Sequence, residues 1–346
     1  MPEYSQISKK IILTALFFIS LMPSDRLYAK TDAAEAGLYD ERSAQNVVWE
    51  SKLRRQVEFF SDSICAGRAT GTRGGTEAAF AIARRFRKDG LIPFGGSYSK
   101  SFYTPDSLKT GHNIIGMLPG SIKRPVDSYV IIGAHYDHLG ILDGRMYPGA
   151  DNNASGTVAL LSIADMFSSM KTLGKVYGAN IIFVAFDAKE LSMAGAQALW
   201  DMISEKELLD PVTGEPVTRD KIRLMVNIDQ IGSSLSPLSS GRNDFIIMLG
   251  GNTLEDSSCD WLSLCNRFYG AGLEISETYY GSENFTRLFY RLSDQRPFVD
   301  NKIPAVLFTS GITMNNNKTY DSAGTLDYPV FRKRIILIYH WLDKML

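Results

Sequence analysis

Short apolar runs are spread along the chain between residues 113 and 308. Each is four to seven residues long and mostly continuous, rather than alternating between apolar and polar positions. A continuous apolar run bounded by turn residues is typical of a strand that is covered on both faces of a sheet. The pattern therefore predicts buried strands at 113–117, 129–134, 180–186, 222–228, 245–249 and 305–308.

Segments with apolar residues three and four positions apart lie before, between and after these runs. This spacing places the apolar side chains on one face of an α-helix, whereas the polar stretch 204–220 reads as a surface loop. Strands that alternate with helices favour a sheet between two helical layers. We therefore predict an α/β fold, a three-layer α/β/α sandwich with a mostly parallel, mixed central sheet. The predicted helices are 40–61, 76–88, 155–170, 192–203, 254–269 and 328–346.

The N-terminus has the pattern of a secretory signal peptide. Lys9 and Lys10 precede an apolar run at 11–22, which is too short to cross a bilayer as a helix but suits the core of a signal peptide. Small residues make cleavage plausible after Ala29 or after Ala36.

This interpretation divides the chain into a signal peptide at 1–29 and a single α/β domain at 30–346. It predicts export to the periplasm or the extracellular space, with no membrane partner once the signal peptide is removed. An uncleaved N-terminal membrane anchor is the alternative interpretation.

Composition and charge exclude some classes of protein. Of the 346 residues, 45% are hydrophobic and 22% are charged, which is ordinary for a globular protein. Lys and Arg total 37 against 38 Asp and Glu, so the net charge of −1 gives no reason to expect a nucleic-acid partner. The three cysteines, Cys65, Cys259 and Cys265, are too few for a disulfide framework.

Charged residues follow several of the predicted strands, and ligands bind at the carboxyl ends of strands in such sheets. Glu190 follows one strand and Asp229 another, while His135 and Asp137 come after a third. Because His135 and Asp137 are two apart on an extended segment, both side chains leave the same face. The pair suits a metal-binding imidazole oriented by a carboxylate, although it also occurs as a structural hydrogen bond.

Six short motifs follow one another in a defined order. They are 67–72 (GRATGT), 135–138 (HYDH), 148–156 (PGADNNASG), 186–190 (FDAKE), 227–229 (NID) and 293–295 (SDQ). This order resembles that of the co-catalytic di-zinc exopeptidases, the family of bacterial leucyl aminopeptidase, glutamate carboxypeptidase and glutaminyl cyclase. The resemblance implies the zinc-exopeptidase type of fold. In that family two zinc ions share a bridging aspartate, each has a further carboxylate and a histidine, and a glutamate acts as general base.

The resemblance implies roles for four residues. His135 matches the histidine of one zinc ion, and Asp137 matches the carboxylate that orients that histidine. Glu190 matches the carboxylate of the same zinc ion, and Asp229 matches the carboxylate of the other.

Three positions depart from the family's pattern. The bridging aspartate falls on Asn152, and the general-base glutamate falls on Lys189. The last zinc histidine falls on Asn317 if Asp321 is the aspartate that follows it by four residues. Asp151 is a possible substitute for the bridging aspartate, but its side chain is expected to point elsewhere.

These departures change the charge balance that the resemblance implies. The family's carboxylates are balanced by zinc, whereas here Lys189 supplies a positive charge beside Glu190 and Asp229. Asparagine is a poor zinc ligand, and bound metal would repel an ammonium group. We therefore expect at most one weak zinc site. We also expect Lys189 to lie within salt-bridge reach of Glu190, Asp229 or Asp151.

Two functions remain open at this point. The first is a catalytically impaired, exported relative of the zinc aminopeptidases that binds a peptide or amino-acid derivative in its cleft. The alternative is an active zinc-dependent exopeptidase with one metal on His135 and Glu190, in which a lowered pKa makes Lys189 a base. A non-metal enzyme with Ser155 or Cys65 as nucleophile has less support, because no histidine has a motif relation to either.

Overall fold

The structure of the chain, a computed structural model, describes residues 40–121, 126–238, 240–255 and 257–346. The predicted signal peptide at 1–29 and its cleavage sites lie outside the described residues. Ala44–Leu346 forms one compact unit, and of the preceding unit, Met1–Ser43, only residues 40–43 are described.

Most strands of the described chain belong to one sheet with the order β1-β3-β7-β4-β8-β11-β9-β10, in which β2 also pairs with β3. A separate hairpin consists of β5 and β6. The strands are β1 (Ile92–Pro93), β2 (Ser99–Tyr103), β3 (Thr110–Leu118), β4 (Tyr129–His135), β5 (Gly140–Leu142), β6 (Arg145–Tyr147), β7 (Asn180–Phe186), β8 (Ile222–Ile228), β9 (Phe245–Leu249), β10 (Glu274–Ser276) and β11 (Ala305–Thr309).

The centre of the sheet is parallel. Strands β7, β4, β8 and β11 run parallel to their neighbours in this group, whereas β3 pairs antiparallel with β7 and β9 pairs antiparallel with β11. The predicted mixed sheet is thus confirmed, with its parallel pairs at the centre. The carboxyl ends of the four central strands lie along one edge of the sheet, which is where such folds bind ligands.

Helices cover both faces of the sheet, as alternate residues of β7 show. Ile182 belongs to a buried cluster that includes Trp200. The next residue, Phe183, points to the other face, where its ring lies 6.4 Å from Phe86 and 6.3 Å from Phe167. The predicted α/β/α sandwich is therefore confirmed. The α-helices are α1 (Glu50–Ser61), α2 (Arg73–Lys88), α3 (Gly156–Thr172), α4 (Ala194–Ser204), α5 (Ser257–Phe268), α6 (Glu283–Tyr290), α7 (Arg296–Asp300) and α8 (Tyr328–Met345).

Two predicted elements need correction. The helix predicted at 40–61 is interrupted, because Trp49 is extended and a 3₁₀-helix at Glu41–Val47 precedes α1. The β-branched pair Val47 and Val48 disfavours helix at this point. The stretch 204–220 is not wholly on the surface either, since Leu208 and Val217 are buried in the core.

Some elements gave too weak a pattern to predict. Strand β2 alternates between exposed and half-buried positions, and the short helix α6 contains no buried residue. Within the described ranges, no helix has both the length and the apolar character needed to cross a membrane.

Candidate functional site

A cleft of about 490 Å³ opens at the carboxyl edge of the central strands. It gathers most of the residues that the sequence singled out, and it adds an apolar wall. The wall consists of Tyr279, Phe289, Leu292, Leu307 and Ile312. The polar part of the cleft includes Asn152, Lys189, Glu190, Asp229, Gln230, Asn316 and Asn317.

His135 lies fully buried beneath this cleft and pairs with Asp229. Its Nε2 is 3.3 Å from Asp229 Oδ1. The strand order explains the contact: β4 and β8 are neighbours with Gly133 opposite Asn227, and two further residues bring His135 beside Asp229. The sequence interpretation grouped His135 with Glu190, whereas the structure brings it to Asp229.

The charges around His135 hold its imidazole protonated. Burial alone would lower its pKa, and Lys189 acts in the same direction. The carboxylate of Asp229 and the hydrogen bonds to Asp137 and Asp229 outweigh both effects and raise the pKa of His135 to about 10. In the absence of metal the contact with Asp229 is therefore a buried ion pair.

We expect His135→Gln to lower stability most at neutral and mildly acidic pH. Because the folded pKa of about 10 lies above the ordinary value of 6.5, the protonated imidazole stabilises the fold fully below pH 6.5. This contribution is lost as the pH rises through the folded pKa. The difference in unfolding free energy between wild type and variant should be largest at about pH 6 and small above about pH 10.

Urea unfolding at several pH values, with a chelator present, measures this difference. Comparing the two proteins at each pH cancels the titration of shared groups that do not interact with His135. A difference that stays constant across the range would contradict a protonated His135.

Asp137 connects His135 to the loop that follows β7. Its backbone carbonyl oxygen lies 3.1 Å from His135 Nδ1, and its Oδ1 lies 3.4 Å from the same nitrogen. The two carboxylate oxygens also accept the backbone N–H groups of Lys189 and Glu190, each at 3.0 Å. Asp137 therefore orients the imidazole through its carbonyl and carboxylate oxygens, and its carboxylate also fixes the loop that carries Lys189.

Lys189 places an ammonium group among the carboxylates of the cleft. Its side chain is only 15% exposed, and Nζ lies 3.4 Å from Glu190 Oε1, so the expected ion pair forms with Glu190. Burial lowers the pKa of Lys189, but Asp229 and Glu190 outweigh it and hold the pKa well above its ordinary value. The lowered pKa that would make Lys189 a base is therefore not what this environment produces.

Asn152 and Asn317 are in contact at the other side of the cleft. Asn152 Nδ2 donates to Asn317 Oδ1 at 3.1 Å and to Asn316 Oδ1 at 2.9 Å. The backbone N–H of Asn152 donates to Asp321. The two positions that the resemblance assigned to metal ligands are therefore neighbours in the fold. The structure adds Asn316, which the sequence interpretation missed within a run of three asparagines.

Asp151 faces away from the cleft. Its Oδ1 accepts the backbone N–H of Gly232 at 2.9 Å and the hydroxyl of Ser155 at 3.2 Å. Burial and the nearby Asp321 raise its pKa to about 7. Asp151 Oδ1 thus binds the loop after β8. In this orientation the carboxylate cannot substitute for a bridging aspartate.

The motif at 293–295 supplies a carboxylate to the same buried cluster. Ser293 Oγ donates to Asp229 at 2.6 Å, which fixes the carboxylate that His135 contacts. Asp294 is fully buried, and neither of its carboxylate oxygens has a hydrogen-bond partner among the described residues. Burial raises its pKa to about 7. The motif signalled this residue in the sequence, but no role was inferred for it.

Arg68, in the motif at 67–72, binds the backbone of two segments that carry residues of the site. Its guanidinium is fully buried and donates to the carbonyl oxygens of Tyr136, Pro148 and Gly149 at 2.7–2.8 Å. These carbonyls belong to the segment after β4 and to the segment that leads to Asn152. One side chain therefore holds both segments in place.

The donor set does not fit a two-zinc centre. Asn152, which the resemblance aligns with the bridging aspartate, has an amide that donates to other asparagines, and Lys189 brings a cation to the cleft. Within the part of the chain that the structure describes, no three His, Cys, Asp or Glu side chains converge as metal ligands do. His135 Nε2 and Asp229 Oδ1, 3.3 Å apart, have a spacing that two ligands of one zinc ion can have.

Comparisons with known proteins identify the family. The sequence profile of peptidase family M28 matches residues 113–340, which is more than half of the chain. "Aminopeptidase YwaD" of Bacillus subtilis is 29% identical over 50% of this chain and 36% of its own length. "Leucine aminopeptidase 1" of Sclerotinia sclerotiorum is 30% identical over 39% of this chain and 32% of its own length. The chain thus spans about a third of the length of these two curated relatives.

Solved structures support the same fold. The Legionella pneumophila LapA aminopeptidase has a TM-score of 0.64 at 16% identity, covering 88% of this chain and 74% of its own. The zinc aminopeptidase BSAP of Bacillus subtilis has a TM-score of 0.63 at 14% identity, covering 86% and 95%. The glutaminyl cyclase of Porphyromonas gingivalis has a TM-score of 0.62 at 16% identity, covering 89% and 99%. With the family profile extending over the central sheet and its carboxyl edge, the chain belongs to peptidase family M28.

Proposed function

We propose that this chain is a catalytically impaired member of family M28 that binds a peptide or amino-acid derivative in its cleft without two-zinc hydrolysis. The observation that carries the proposal is the position of the Lys189 ammonium, whose Nζ lies 3.4 Å from Glu190 Oε1. The carboxylates of Asp229 and Glu190 hold the pKa of Lys189 above its ordinary value. A cation in this position does part of the neutralising that zinc would do.

The lining of the cleft supports binding. Asn152 Oδ1 and Gln230 Oε1 are buried and have no hydrogen-bond partner among the described residues, so they can accept the N–H groups of a ligand. In the same cleft, the stacked rings of Tyr279 and Phe289, with centroids 3.9 Å apart, offer an apolar surface to a side chain. An amino-acid derivative with an apolar side chain matches both features.

A second candidate is a one-metal exopeptidase, and the distance of 3.3 Å between His135 Nε2 and Asp229 Oδ1 favours it. Two ligands of one zinc ion can lie at such a separation. If this candidate is correct, the metal's ligands are His135 and Asp229, rather than His135 and Glu190.

Hydrolysis and binding assays separate the two candidates. Because curated relatives are named leucine aminopeptidases, leucine p-nitroanilide is the assay substrate and leucinamide is the binding probe. We expect no chelator-sensitive hydrolysis, together with saturable binding of leucinamide by calorimetry. Hydrolysis that stops with chelator and returns with zinc would instead support the one-metal enzyme.

Phe289→Ala tests whether the apolar wall contributes to binding. Removing a ring that contacts the ligand should weaken leucinamide binding about tenfold, because aromatic anchors supply much of the affinity of such sites. Phe268→Ala is the matched control, since its ring is 61% exposed and lies outside the cleft. Equal affinities for the two variants would argue against the proposed binding mode.

We further propose that the chain is exported. The support is the signal-peptide pattern at 1–29. Protein recovered from outside the cytoplasm should have a mass that lacks the first 29 or 36 residues. A full-length mass in a membrane fraction would instead indicate an uncleaved anchor.

A further inference from the structure

A second cavity, of about 480 Å³, lies between α1 and α2 and shares no lining residue with the cleft. Its lining combines several cations with apolar side chains. The lining residues are Lys52, Arg55, Gln56, Phe59, Phe60, Ala81, Arg84, Arg85, Lys88 and Leu161.

Only part of this positive charge is neutralised within the fold. Asp165 Oδ2 accepts from Lys52 at 2.8 Å and from Arg85 at 2.5 Å, so these two cations are paired. Across residues 40–346, apart from the undescribed gaps, no carboxylate lies within ion-pair distance of Arg55 or Arg84. Lys88, which also lines the cavity, has no such pair either. The cavity therefore keeps an excess of positive charge.

The base of the cavity is apolar. Phe60 and Leu161 are 3% and 2% exposed, and the half-buried Phe59 packs edge-on against Phe60. Gln56 also lines the cavity, and its Oε1 is buried without a hydrogen-bond partner in the described chain. The site thus offers cations, an apolar surface and one acceptor for a polar hydrogen.

We propose that this cavity binds a small amphiphilic anion, in which a carboxylate or phosphate is attached to an apolar body. The guanidinium groups of Arg55 and Arg84 match the geometry of either anionic group. The apolar body would cover Phe59 and the base of the cavity, which removes apolar surface from water. The volume lies in the range of small-molecule sites. This inference is independent of the function proposed for the cleft.

Calorimetric titration of the full mature chain tests the ligand class. Decyl phosphate and decanoate, both below their micelle concentrations, carry the two candidate head groups on the same apolar body. Each is compared with inorganic phosphate, which lacks the apolar chain, and with decyl glucoside, which has the same chain but no charge. We expect one site per chain, at least about tenfold tighter for an anionic amphiphile than for either comparison ligand, and weakening with added salt.

Whichever of decyl phosphate and decanoate binds more tightly shows whether the site prefers a phosphate or a carboxylate. Equal affinity for inorganic phosphate would show a simple anion site and overturn the proposal. Equal affinity for the neutral glucoside, or no binding of either anionic amphiphile up to about 1 mM, would also overturn it.

Paired variants locate the site. Arg55→Gln combined with Arg84→Gln removes two exposed cations of the cavity and should weaken binding of the anionic amphiphile about tenfold. Arg87→Gln combined with Arg267→Gln is the matched control, because it makes the same charge change at exposed arginines outside the cavity. Equal weakening in both double variants would assign the effect to net charge and contradict the proposed site. Thermal unfolding confirms that both double variants are folded.

Discussion

The combined variant Asn152→Asp, Lys189→Glu and Asn317→His should bind two zinc ions per chain and hydrolyse amino-acid amides. It introduces an aspartate, a glutamate and a histidine at the positions that the resemblance aligns with the family's bridging aspartate, general base and last histidine. Restored hydrolysis should exceed that of the wild type by at least about 10³-fold, because a two-metal site activates water and stabilises the developing oxyanion. Zinc titration and hydrolysis of leucine p-nitroanilide measure the two effects.

Each of the three single substitutions should leave hydrolysis within about tenfold of the wild type, because the members of such a site act as a unit. A second triple variant, with Asn316→His in place of Asn317→His, is the matched control. Asn152 Nδ2 contacts both asparagines, so this control tests which of them occupies the ligand position. Wild-type turnover at about one per second or faster, stopped by chelator, would show that the site was never impaired.

Asp229→Asn should lower the free energy of unfolding by about 3–5 kcal/mol in metal-free buffer. The substitution keeps the shape of the side chain but removes its charge. It leaves the imidazolium of His135 without its carboxylate, and Lys189 loses one of the acids that hold its pKa high. Burial raises the pKa of Asp229, but Lys189 and His135 together depress it well below its ordinary value, as expected of a carboxylate that stabilises two cations.

Urea unfolding measures the loss, and Asp300→Asn provides the comparison. Asp300 pairs with Arg291 at 2.8 Å, but its side chain is 40% exposed, so its removal should cost less than about 1 kcal/mol. If Asp229→Asn cost no more than this control, the buried cations would not depend on Asp229 and the account of a charge-compensated site would be wrong.

Much of the fold could be predicted from the sequence. Strands β7, β8 and β9 have the bounds that their apolar runs predicted, because both faces of each strand are covered and nearly every position must be apolar. Helix α6 has apolar residues three and four positions apart, at Phe285, Leu288 and Phe289, but it is only eight residues long and was not predicted. The extended backbone of Trp49, which separates α1 from the preceding 3₁₀-helix, likewise has no strong mark in the sequence.

The residues of the site were easier to predict than their partners. The order of motifs pointed to His135, Lys189 and Asp229, and these residues converge on one cleft. His135 pairs with Asp229 because β8 is a neighbour of β4 and its register places Asn227 opposite Gly133. Strand order arises from packing across the whole sheet, so local sequence could not provide it. The contact between Asn152 and Asn316 depends in the same way on how the loop after β11 folds back.

Zinc stoichiometry of the wild-type chain tests the central claim most directly. The chain is purified without chelator, equilibrated with micromolar zinc, freed of unbound metal by gel filtration and analysed by plasma mass spectrometry. If Lys189, Asn152 and Asn317 have replaced the two-zinc centre, the chain should retain fewer than about 0.2 zinc ions. Retention of about one zinc ion or more per chain would contradict a charge-compensated, metal-poor site.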